Sequence, residues 1–208
     1  MAELDSTFDH DDVTIESDEP LYQGFFQLRG LRFQHRLFGG GWSPSMHREI
    51  FWRDNCTCVL PYDPWRDEVV LLEQFRAGAL GRDASPWLLE VVAGINEPGD
   101  DGETTARREA EEEAGLTLGH VERICDYLVS PGGTNELVHL YGGCVDATGA
   151  GGIHGLEHEN EDIRVQSLAF EAAMEGLRSG HIWNAPAIMA LQWLALNRER
   201  LRDEWRGS

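Results

Sequence analysis

The stretch DGETTARREAEEEAG, from Asp101 to Gly115, constrains the fold of this chain more than any other. Asp101 is a good helix cap, Thr104 stands three residues on, and Gly115 suits a helix stop, so the spacing predicts a helix from about Gly102 to Ala114. At ~100° per residue, Glu109, Glu112 and Glu113 share one face, and Ala106, Ala110 and Ala114 form a neighbouring stripe of small side chains. Glu111 points elsewhere, to solvent. The alanine stripe lets the helix sit close against a sheet, which holds the acidic face beside it against the body of the protein. Like charges four residues apart repel by roughly a few tenths of a kcal/mol when exposed and by more when partly buried. A compensating cation is therefore expected. Arg107 and Arg108 are candidates; a hard divalent cation on oxygen ligands is the other, and Mg2+ in particular uses a few carboxylates together with substrate phosphates. On charge alone, a solvated acidic helix face fits the same residues.

At 208 residues the chain has room for one well-buried domain with a small accessory lobe. Its formal charge of −20 argues against holding polyanions by bulk electrostatics, so no nucleic-acid partner is expected and a phosphate-bearing ligand must be met locally. All 17 basic residues are arginine, which removes the P-loop lysine and every Schiff-base mechanism. No apolar run approaches membrane-spanning length and the first residues are acidic where a secretory signal is basic, so the expected compartment is the cytoplasm, with no membrane partner. Cys56, Cys58, Cys125 and Cys144 show no paired CxxC spacing and read as reduced thiols in strands.

Residues 1–20 read as an acidic tail without apolar period. LYQGFFQLRGLRFQHRLFGGG then alternates on either side of Arg29-Gly30, as a hairpin that ends at Gly39-Gly40-Gly41 and needs something to pack on. From Arg48 the pattern is mixed α/β. Strands are expected at Thr57 to Leu60, Glu68 to Arg76, Trp87 to Ala93, Ile124 to Val129, Leu137 to Val145 and Ile163 to Leu168. Helices are expected from Phe170 to Arg178 and from Ala185 to about Trp205, the second capped by Asn184 with Pro186 in its first turn and a core stripe of Ile188, Leu191, Leu194 and Leu196. Residues 150–162, AGGIHGLEHENED, read as a functional loop. His154 and His158 lie in it, but the glycine between them argues against a helical metal pair.

Gly94, Arg108-Glu109, Glu112-Glu113 and Gly115-Leu116 together resemble the Nudix box, a far more specific pattern than a short glycine motif. One defined position departs, with Asp100 where the family has glutamate. The missing methylene shortens its reach, so an ion pair with Arg108 is weakened or formed differently. PWLLEVVAGINEPG, SPGGTNE with Pro131, and GIHGLEHENEDIRV are similar to the ADP-ribose pyrophosphatase branch over about Leu21 to Trp205. The resemblance implies an α/β/α sandwich around a mixed sheet as a Nudix domain over 51–208, with a small N-terminal antiparallel β domain over 21–50 exchanged between the subunits of a homodimer. It implies hydrolysis of ADP-ribose to AMP and ribose 5-phosphate, with two or three Mg2+ or Mn2+ ions held by Glu109, Glu113, the carbonyl of Ala93 and Glu161. Glu159 stands at the position of the general base, with Glu112 the alternative. Substrate contacts are implied for Phe25 and Phe26 near the adenine, for Arg48, Glu49 and Arg53 at the subunit boundary, and for Arg76, Ser130, Gly132 and Glu136. Two other readings stay open: a hydrolase of another nucleoside diphosphate sugar, and a non-catalytic nucleotide-binding module.

Overall fold

The run VVLL at 69–72 is apolar without alternation, the mark of a strand covered on both faces. The computed structural model describes residues 6–156 and 160–207. In chain order its elements are β1 (Val13–Gln23), β2 (Gln27–His35), β3 (Met46–Trp52), β4 (Cys56–Asp63), β5 (Glu68–Phe75), β6 (Trp87–Glu90), β7 (Val92–Ile95), α1 (Gly102–Ala114), β8 (Val121–Leu128), β9 (Leu137–Cys144), β10 (Gly151–His154), β11 (Ile163–Ala169), α2 (Phe170–Arg178) and α3 (Ala185–Trp205). They divide into two compact units, Met1–Asp54 with Leu128–Glu136, and Asn55–Tyr127 with Leu137–Ser208.

The larger unit is built on a sheet in the order β10-β11-β5-β4-β9-β8, with β6 added to β5 and β7 to β4. β4 runs parallel to β9 and antiparallel to β5 and β7, so the sheet is mixed. Val70 and Leu72 pack with Ala106, Ala110 and Ala114 of α1 on one face, while Val69 and Leu71 pack with Phe170, Ala173, Leu191 and Leu194 on the other. This is the expected α/β/α sandwich. Asp101 accepts from the Thr104 N–H at 2.8 Å, Asn184 accepts from the Ala187 N–H at 3.2 Å, and all three helices occupy the ranges expected of them. The four cysteines form no disulfide among the described residues and lie in β4, β8 and β9.

Leu196 is the exception in α3. It is 87% exposed, whereas Ala187, Ala190, Leu191, Leu194 and Leu201 are fully buried. Two residues past Leu194 is about 200° around a helix, so Leu196 faces solvent and the core stripe continues at Leu201. Trp87 to Ala93 is also not one strand: the chain changes neighbour at Val91, with Glu90 opposite Leu72 of β5 and Val92 opposite Val59 of β4. Apolar periodicity reports burial, not which strand lies alongside. Within residues 150–162, Gly151–His154 pairs with β11 as a strand.

The smaller unit is an antiparallel sheet in the order β1-β2-β3. The segment expected as an acidic tail contributes most of β1, whose exposed residues carry no apolar alternation and are placed by the ladder to β2 and by polar pairs such as Arg29 Nε with Asp18 at 2.8 Å. Pro20 sits at a register shift of this edge strand, where a missing N–H is tolerated. Arg29-Gly30 is likewise not a turn but the middle of β2. A Cβ on Gly30 would come within 2.9 Å of His47 Nε2 on β3, so glycine serves close strand approach there.

Candidate active site

The alanine stripe of α1 brings two neighbouring carboxylates into the interior. Glu113 is 4% exposed and Glu109 9%. Glu113 Oε2 accepts from the Ala93 N–H of β7 at 2.9 Å. Burial pushes the Glu113 carboxyl up to about 8; the Ala93 N–H opposes this, Glu109 and Glu161 add to it, and Arg76 opposes it weakly. Glu109 is also raised, first by burial, with Arg108 opposing and Glu112 and Glu161 adding. Glu161 thus faces both carboxylates, and Arg76 faces Glu113. Glu161 Oε2 accepts from the Leu156 N–H at 3.2 Å, and Arg76 Nε donates to Glu90 Oε2 at 2.7 Å.

Arg108 answers part of the charge. Its Nη1 stands 2.7 Å from Glu109 Oε1 and 2.9 Å from Glu112 Oε2, and its Nη2 donates to the Ile95 carbonyl at 3.2 Å. Arg107 turns away to Glu103 and to the carbonyls of Leu118 and Gly119. Asp100 forms no side-chain ion pair or hydrogen bond among the described residues; its N–H donates to the Glu97 carbonyl at 3.0 Å. A Cβ at Gly94 would lie 1.7 Å from Glu109 Oε1, so a side chain at that position would displace the carboxylate.

Among the described residues no three acidic, histidine or cysteine groups are already converged on one point. The reason is visible in the bonds: Arg108 draws Glu109 and Glu112, while Glu113 is turned to Ala93. The donor set is nonetheless oxygen only and more negative than Arg108 alone can balance, which suits a hard divalent cation. Glu159 lies outside the described residues, as does His158.

In the smaller unit, Phe25 and Phe26 meet edge to face at 4.7 Å, Phe26 contacts Phe51 at 5.0 Å, and the Arg53 guanidinium lies 5.0 Å from the centre of the Phe26 ring. Arg53 Nη1 pairs with buried Glu136 at 3.1 Å. The Asn135 amide accepts from the Arg53 N–H at 2.7 Å and donates to its carbonyl at 2.8 Å. Ser130 and Gly132 lie in the turn before them, where the Ser130 carbonyl accepts from the N–H groups of Gly133 and Thr134. Phe26, Arg53 and Glu136 are thus brought together, with the turn alongside. Arg48 and Glu49 are not joined to the cluster: both are exposed on β3, and Arg48 Nη1 donates to the His47 carbonyl.

Phe51, Asn135 and Glu90, which contact Phe26, Arg53 and Arg76, are not singled out by the sequence. Phe51 sits in β3, whose sequence has no clean alternation, and the Asn135 bond spans 82 positions. The only signal for Asn135 was its place in SPGGTNE.

The NUDIX domain family matches residues 53–191, a span that includes the buried carboxylates of α1. The chain belongs to the Nudix family. It is 50% identical over 202 residues to an ADP-ribose pyrophosphatase of Escherichia coli, covering 97% of both chains. An ADP-ribose pyrophosphatase of Haemophilus influenzae is 42% identical, covering 100% of this chain and 97% of that one. A GDP-mannose pyrophosphatase of Salmonella arizonae is 32% identical over 89% of this chain and 96% of its own. A crystal structure of an ADP compounds hydrolase superposes with a TM-score of 0.69 at 17% identity, covering 94% and 97% of the two chains, and shows the fold alone.

Proposed function

We propose that this chain hydrolyses ADP-ribose to AMP and ribose 5-phosphate with a divalent cation, Mg2+ or Mn2+. The observation that carries the proposal is the pair of buried carboxylates, Glu109 and Glu113, on the helix that carries the Nudix box. Full-length identity of 42–50% to ADP-ribose pyrophosphatases supports the substrate. Glu109, Glu113, the Ala93 carbonyl and Glu161 would hold two or three ions. Such cations supply positive charge to the phosphate oxygens and polarise the attacking water.

The chain's own residues do the rest. Gly94 leaves the space that Glu109 occupies, the Ala93 N–H fixes one oxygen of Glu113, and Arg108 orients Glu109 with Glu112. Arg76, tied to Glu90, faces Glu113 and offers a guanidinium to phosphate. Glu159 removes the proton from water, with Glu112 the alternative base. Phe25 and Phe26 take the adenine by stacking, and Arg48, Glu49, Arg53, Ser130, Gly132 and Glu136 complete the substrate contacts. The working form is a homodimer with exchanged N-terminal regions, which gives the exposed sheet of the smaller unit a partner.

The 32% identity to a GDP-mannose pyrophosphatase favours a second reading, a hydrolase of another nucleoside diphosphate sugar. One experiment separates them: product analysis for ADP-ribose, ADP-glucose and GDP-mannose with the wild type, Glu159→Gln and Glu112→Gln. The proposal expects ADP-ribose to give the highest kcat/KM, and Glu159→Gln to lower kcat by about a hundredfold or more with little change in KM. A preference for GDP-mannose contradicts the substrate. An unchanged kcat in Glu159→Gln beside a large loss in Glu112→Gln moves the base onto α1.

A further inference from the structure

Arg108 is held by groups that the proposed reaction takes away from it. Its Nη1 is shared between Glu109 and Glu112, so a divalent cation on Glu109 and Glu113 would compete for the same charge and repel the guanidinium. Its Nη2 bond to the Ile95 carbonyl keeps the side chain tethered to the end of β7. Arg108 Nε is buried and has no hydrogen-bond partner among the described residues. A buried guanidinium N–H without an acceptor is costly and calls for a partner. Asp100 does not supply it. The one carboxylate on Nε is Glu97, whose Oε1 stands 4.0 Å away at the limit of an ion pair, with a side chain 68% exposed and free to turn.

We infer that Glu97 is the positioning residue for Arg108 in this chain, receiving the guanidinium through Nε when Glu109 turns to the cation. The inference rests on the metal reading above. It makes Glu97 the device that lets the acidic face exchange an internal counter-ion for a bound one without leaving Arg108 unpaired. Glu97 touches no reacting atom in this scheme. Its effect falls on cation affinity and, through it, on the metal concentration that half-saturates activity.

The test is Mn2+ binding by the full-length protein without substrate, followed by electron paramagnetic resonance, alongside thermal unfolding with and without the ion. Glu97→Gln is expected to weaken Mn2+ binding about two- to fivefold, the range of a partly exposed ion pair, and to leave metal-free Tm unchanged while shrinking the rise that Mn2+ produces. Asp100→Asn and Glu111→Gln, which remove the same charge nearby, should bind Mn2+ as the wild type does. Asp100→Glu in the Glu97→Gln background should restore affinity by bringing a carboxylate one methylene nearer to Arg108. Wild-type affinity in Glu97→Gln overturns the inference, as does an equal loss in Asp100→Asn or Glu111→Gln. No saturable Mn2+ binding by the wild type would remove the metal reading as well, so the two failures are distinct.

Discussion

Glu113 carries the clearest signature of a residue selected for something other than stability. Its carboxyl is raised from the ordinary 4.5 to about 8, so between those values the folded chain retains a proton that the unfolded chain has released. An acid raised in this way contributes stability that is present below the unfolded value and lost as pH climbs toward the folded one. Metal-free stability is therefore expected to fall from about pH 4.5 to pH 8 through this group, and Glu113→Gln, which does not titrate, is expected to lose less Tm over that window. Parallel Tm curves for the two proteins would contradict the assignment. The local sequence showed which residues point the same way on α1, because period and caps are local properties. It did not show that Arg108 would be shared between Glu109 and Glu112, or that Asp100 would leave Arg108 to Glu97; those depend on how the segment from Ile95 to Asp101 folds back on the helix.

The helices were legible to the residue and the strands only in part. Helix ends carry their own chemistry, in Asp101, Asn184 and Gly115, whereas strands such as β1 and β3 are set by partners distant in sequence. The apolar stripe of α3 shows where periodicity has to be followed with care. Leu194 is fully buried and packs on the sheet, while Leu196 stands in solvent. Leu194→Ala is expected to cost about 2–5 kcal/mol, the range for a large-to-small change in a packed core, and Leu196→Ala less than about 0.5 kcal/mol. Urea unfolding of both variants measures this, and equal losses would contradict the placement of the helix.

Across the whole molecule, the charge of −20 and the absence of lysine fit an enzyme that meets phosphate through a few arginines and a bound cation instead of a basic surface. None of the helices is long and apolar enough to cross a membrane among the described residues. The sandwich was legible because alternating burial, caps and the Nudix box agree with one another; the make-up of the smaller unit was not, because it joins residues 128–136 to the first 54. The most direct measurement of the central claim is AMP release from ADP-ribose, with and without Mg2+, by the wild type and Glu113→Gln at matched helical circular dichroism. The account predicts Mg2+-dependent release by the wild type and a loss of about a hundredfold or more in the variant, since several kcal/mol of charge stabilisation go with the ligand. Near-normal turnover by Glu113→Gln at saturating Mg2+, or release by the wild type with all divalent ions chelated, would contradict it.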